Sequence, residues 1–116
     1  MSIPKPGEAV RGSKTGVPIM ALFDLLGRSW AMGVIWQLQE GPYTFRELQE
    51  RCESISPSIL NSRIKDLKEA DILERSLEGY QLTERGNELI RVLLHFGDWS
   101  WNWAEEVFGY EKTGNE

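Results

Sequence analysis

The stretch TFRELQERCESISPSILNSRIKDLKEA, residues 44–70, decides how this chain folds. Thr44-Phe45-Arg46-Glu47 is a capping box, in which the threonine side chain caps a helix start and the glutamate three residues on bonds back. Phe45, Leu48 and Cys52 follow at helical spacing, so the helix runs to about Cys52. Ser56 is a good N-cap and Pro57 a good first helical residue. The next helix therefore runs from Pro57 to about Ala70, with Leu60, Ile64 and Leu67 facing inward. Two short helices joined by a tight turn are the result.

Downstream the period changes. Ile72-Leu73-Glu74-Arg75-Ser76 reads as a short strand, Leu77-Glu78-Gly79 as a turn and Tyr80-Gln81-Leu82 as the returning strand. Thr83 caps a last helix, along which Leu89, Val92, Leu93, Phe96, Trp99 and Trp103 recur at steps of three and four. Upstream, Gly41-Pro42 ends a helix that Ser29 caps, with Trp30, Val34, Ile35 and Leu38 on one side. Pro18 opens an earlier helix that stops at Gly27. Residues 1–16 hold two prolines and three glycines and read as a flexible arm; residues 109–116 read as a polar tail. The fold expected for residues 17–108 is mainly α with a small β-hairpin, a winged helix-turn-helix.

Composition narrows the function. With 116 residues the chain fits one domain, and 41% hydrophobic and 27% charged residues are ordinary for a soluble protein. No apolar run reaches the ~18 residues of a membrane span, and the first residues lack a signal-peptide core, so a cytoplasmic protein with no membrane contact is expected. A single cysteine, Cys52, and a single histidine, His95, give no basis for a disulfide framework or a metal site, and no cofactor motif is present. No Ser/His/Asp set, phosphate-binding glycine loop or carboxylate pair suggests an enzyme.

The net charge of −5 sits badly with a nucleic-acid partner, but its distribution matters more than its sum. Lys5, Arg11 and Lys14 against Glu8 make the arm basic, while Asp98, Glu105, Glu106, Glu111 and Glu116 against Lys112 make the C-terminal end acidic. From Ser54 to Lys65 there is no acidic residue at all. That segment opens the second helix of the pair, the element that lies in a DNA major groove in such folds. Ser56, Ser58, Asn61, Ser62, Arg63 and Lys65 are the candidate contacts to double-stranded DNA. Asn61 suits a base edge, Arg63 and Lys65 suit phosphates, and Ser56 can touch a phosphate while capping. Arg28 is read as structural, a partner for Asp24. Cys52 is read as buried and inert, and His95 as an interface or surface residue. Trp99, Trp101 and Trp103 carry too much apolar area to leave in water. Phe96, Trp99 and Trp103 are read as a homodimer interface; a pocket for a planar small-molecule effector between subunits is the sharper alternative.

The chain resembles the HxlR family of MarR-like regulators. The resemblance rests on Val17-Pro18, Ala21 through Trp30, Gly41 through Leu48, Ile55-Ser56, Leu60, Arg63-Ile64-Lys65, Leu67 and Leu82 through Gly86, in that order and register. It implies a dimer paired through its first and last helices, with Leu22 added to the interface, acting as a transcriptional regulator on an inverted-repeat operator. Three departures stand out. Many members carry a cysteine at Gly16 and a basic residue at Ser58, and their wing is longer than the one holding Glu78 here. These departures imply modest DNA affinity or dependence on the basic arm. They also leave an alternative, a winged-helix module that docks to proteins and binds DNA weakly or not at all.

Overall fold

The computed structural model describes residues 3–111. Helix α1 (Pro18–Leu26) begins with proline and buries Ala21, Leu25 and Leu26. Helix α2 (Ala31–Gln37) continues as a 3-10 turn over Leu38–Glu40. Helix α3 (Phe45–Arg51) and helix α4 (Pro57–Glu69) form the helix-turn-helix. Strands β1 (Leu73–Ser76) and β2 (Gly79–Leu82) pair antiparallel with Leu73 opposite Leu82. Helix α5 (Glu84–Phe108) closes the chain, 25 residues and so about 37 Å long. Among the described residues, five α-helices and one two-stranded hairpin make the mainly α, winged arrangement expected from the sequence.

Three helix starts form as their sequences dictate. Thr44 Oγ1 accepts from Glu47 N–H at 3.2 Å, and Thr44 N–H donates to Glu47 Oε1 at 2.8 Å. Ser56 Oγ accepts from Ile59 N–H at 3.2 Å. Thr83 Oγ1 accepts from Gly86 N–H at 2.9 Å and donates to the Asp71 carbonyl at 2.7 Å. The second helix departs from expectation, because Trp30 and not Ser29 occupies its cap, with a left-handed φ of 67° and no side-chain bond. A left-handed residue costs roughly 1–2 kcal/mol. What holds Trp30 there is its ring, which lies over Gly33 so closely that a Cβ on Gly33 would come within 2.6 Å of it.

The core gathers Val34 and Ile35 of α2, Leu48 of α3, Leu60 and Leu67 of α4, and Ile90 and Leu93 of α5. The wing is pinned to it by a backbone pair: Tyr43 N–H donates to the Tyr80 carbonyl at 2.9 Å, and Tyr80 N–H to the Tyr43 carbonyl at 2.7 Å. This explains Gly79, which opens β2 instead of sitting in the turn. A side chain on it would collide with the Tyr43 carbonyl, and its φ of 132° suits only glycine. Leu77 and Glu78 alone make the tip.

The segment expected to be a flexible arm is, from Ile3 onward, laid against α1. Gly7 N–H donates to the Gly16 carbonyl at 2.8 Å, and Val10 pairs with Ser13. Arg11 N–H donates to Asp24 Oδ2 at 2.9 Å while its guanidinium approaches Oδ1 at 3.4 Å. Gly16, where many HxlR-like chains carry cysteine, has a φ of 77° and touches Gly7, so an L side chain would be strained there. Of the polar tail, Gly109–Glu111 are exposed and residues 112–116 lie outside the described residues. Among the described residues no single helix is long and apolar enough to cross a membrane.

Candidate nucleic-acid interface

Helix α4 presents Ser58, Asn61, Ser62 and Lys65 on one exposed face, opposite the buried row of Leu60, Ile64 and Leu67. Ser56, just ahead of it, is also exposed, with one lone pair engaged by the cap. At 100° per residue the four side chains on the helix fall within roughly a third of a turn. Arg63 does not join them. It lies about 140° round the helix from Ser58, half-buried, with Nε 3.3 Å from Asp66 Oδ2. Asp66 is only 8% exposed and also receives Arg28 Nη1 at 3.0 Å. A carboxylate buried to that extent is tolerated because two guanidiniums face it. The partner of Arg28 is thus Asp66, while Asp24 is taken by Arg11. Arg28 ties α4 to the turn between α1 and α2, Arg63 pairs within α4, and the cation left on the outer face near Asn61 is Lys65.

The wing adds a cation that sequence reasoning passed over. Arg75 on β1 is exposed and stands opposite Tyr80, its guanidinium 5.6 Å from the ring centroid. Strand alternation could not have placed it outward, because Arg75 shares a face with the buried Leu73. Arg51, by contrast, is occupied: it lies 4.3 Å over the Tyr43 ring and pairs with Glu40. Cys52 is fully buried. Burial first, and the nearby Glu53 carboxylate second, push its thiol up, which keeps it protonated and a poor nucleophile. The Thr44 backbone N–H and hydroxyl lower the Glu47 carboxyl, so the capping box holds its charged form.

Elsewhere the molecule exposes apolar rings. Phe96 is 66% and Trp99 65% exposed, and Trp103 stacks on Trp99 with centroids 6.1 Å apart and planes 17° from parallel. Trp101, on another side of the helix, meets Tyr110 at 5.7 Å. Ile19 and Phe23 of α1 and Met32 and Trp36 of α2 extend the exposed apolar surface. Leu22 does not belong to it: it is half-buried against the core and faces the N-terminal segment. The groove beside the stacked indoles is bordered by Asp98 and Glu106.

A helix pair with a polar outer face, backed by a hairpin wing and a long last helix, defines a winged helix-turn-helix transcription regulator. The HxlR-like helix-turn-helix family model matches residues 25–108. The chain belongs to that family, whose members are DNA-binding transcriptional regulators. It is 33% identical over 90 residues to the regulator YodB of Bacillus subtilis, covering 72% of this chain and 80% of YodB. It is 31% identical over 91 residues to an uncharacterised regulator, BH0655, of Halalkalibacterium halodurans, covering 71% of this chain and 80% of that one. The quinone-bound structure of YodB superposes with a TM-score of 0.67 at 34% identity, over 72% of this chain and 96% of that one. A protein of Thermoplasma volcanium described as a possible HxlR family transcriptional factor superposes with a TM-score of 0.55 at 31% identity, over 68% of this chain and 81% of that one.

Proposed function

We propose that two copies of this chain pair through the exposed faces of α1, α2 and α5 and set two α4 helices about one DNA turn, ~34 Å, apart on an inverted repeat. The observation that carries this reading is the outer face of α4, polar and exposed with no acid between Ser54 and Lys65 inside an acidic protein. Asn61 reads a base edge; Lys65, Ser58, Ser62 and Ser56 contact phosphates. Arg63 shares Asp66 with Arg28 instead of meeting DNA itself. Arg75 and the wing around Leu77 to Tyr80 approach the flanking backbone. Ile19 and Phe23 take the place given to Leu22, beside Phe96, Trp99 and Trp103.

The experiment is selection from a random duplex pool, then titration of the enriched sequence at ~50 and ~200 mM salt. An inverted repeat with a steep loss of affinity in salt is expected. Lys65→Ala reduces the salt slope by ~1, and Asn61→Ala costs about 1–3 kcal/mol of discrimination at one base pair. Absence of enrichment, together with no binding at low salt, returns the chain to the protein-docking alternative.

A second reading has one observation in its favour. The Trp99–Trp103 stack offers a flat apolar face, and the relative YodB has been solved with quinone bound. A planar effector seated on that face between subunits would bind the dimer and not the monomer.

A further inference from the structure

The N-terminal segment does more than cover α1. Between it and the body of the protein lies a cavity of 320 Å³, at the lower end of small-molecule sites and equal to roughly ten waters. Its walls come from four places: residues 3–6, the inward side of α1 through Leu22 and Leu25, the end of α4 through Ala70, and the first turns of α5 through Arg85 and Leu89. The lining is almost wholly apolar. The two charged residues that reach it, Lys5 and Arg85, are both cationic, and among the described residues no carboxylate lines it. In a chain of net charge −5, that is a selected environment. Arg85 is engaged through Nε with Asp71 at 3.2 Å, whereas Lys5 enters no ion pair among the described residues.

We propose that this cavity binds a small apolar carboxylate, its hydrocarbon part against Leu22, Leu25 and Leu89 and its charge at Lys5. The proposal rests on neither the dimer nor the tryptophan face, since the site is built within one chain on the other side of α1 from Ile19 and Phe23. Because residues 3–6 form one wall and Ala70 another, a bound molecule ties the segment to the end of α4. Its binding energy favours the closed arrangement over any in which the segment lifts away.

The test is isothermal titration of the full chain with phenylbutyrate and with octanoate, each beside its neutral alcohol, phenylbutanol and octanol. The acids should bind about tenfold tighter than the alcohols. Lys5→Gln should erase that preference while leaving the alcohols unchanged. Ala70→Phe, which fills the cavity from a partly buried position at the edge of the core, should abolish binding of both, with circular dichroism confirming that the variant is folded. At saturating acid, tryptic cleavage after Lys14 should slow. The proposal is overturned if acid and alcohol bind equally, if neither binds, or if folded Ala70→Phe binds as the parent does. The last result would send the ligand to the tryptophan groove.

Discussion

The first half of α5, from Glu84 to Leu93, and the second half, from Phe96 to Phe108, carry the same apolar period and meet opposite fates. Ile90 and Leu93 are buried in the core, whereas Phe96, Trp99 and Trp103 stand in the open. The second half is the more apolar in bulk, with three tryptophans within five residues. Periodicity tells a helix which face will leave water; it does not say whether the cover comes from the same chain. Here the core ends one turn before the aromatic cluster begins, so the remaining face is not covered by its own chain, and the proposed dimer would supply the cover.

The largest expected effect tests the inner half. Ile90→Ala removes a buried side chain from the junction of α5 with the core and should cost about 2–5 kcal/mol. Urea unfolding at two protein concentrations tenfold apart checks it. The loss should be the same at both, because the contact lies within one chain. A loss below about 1 kcal/mol, or one that grows on dilution, would erase the distinction between the halves.

Trp103→Ala tests the outer half in the opposite sense. Truncating a tryptophan at the centre of the proposed interface costs about 2 kcal/mol or more, so dimer affinity should weaken by roughly thirtyfold at least. Sedimentation velocity over a dilution series reads this directly. An unchanged profile would make the exposed rings a surface without a self-partner.

The same inside-against-outside contrast divides two neighbours on α4. Arg63→Ala leaves Asp66 with Arg28 alone and should lower stability by about 1.5–3 kcal/mol, the worth of a charge-assisted contact. Its DNA salt slope should stay that of the parent. Lys65→Ala should do the reverse, sparing the unfolding midpoint and reducing the slope. If Arg63→Ala lowers the slope and spares the midpoint, the arginine faces DNA after all.

How far the sequence could be read follows from the range of each interaction. Thr44, Ser56 and Thr83 cap as their spacing requires, because a cap is decided within three residues. Leu60, Ile64 and Leu67 are buried together because one helical turn repeats the choice. The same period sets Arg63 nearly half a turn from Asn61, and Asp66 one turn further on was a local signal of its partner. The pairing of Arg28 with Asp66 was not legible, since 38 residues separate them and Asp24 offered a nearer carboxylate. Gly79 looked like a turn residue, and only the approach of Tyr43 reveals why it must lack a side chain. Leu22 shared the apolar character of Ile19 and Phe23, and the folding back of residues 3–16 is what turned it inward.

Gly97 marks the boundary between the halves and gives the smallest effect, but the one that separates them most sharply. A glycine inside a helix costs about 1 kcal/mol relative to alanine. Its place here is explained by Trp36, whose ring tip would stand 3.0 Å from a Cβ. That tip belongs to an exposed side chain at the edge of the aromatic surface, so it can shift by a few tenths of an ångström without disturbing the core. Gly97→Ala should therefore raise the unfolding free energy by about 0.5–1 kcal/mol when measured on dilute, monomeric protein. The displaced Trp36 ring should at the same time roughen the surface proposed to pair with a second copy, and dimer affinity should weaken by a few-fold, about 0.5–1 kcal/mol. Opposite signs in the two measurements show that the core and the exposed face are separate cooperative units meeting at this residue. Equal signs show that the ring of Trp36 is fixed by the core, and that the buried half of α5 extends a full turn further than its burial suggests.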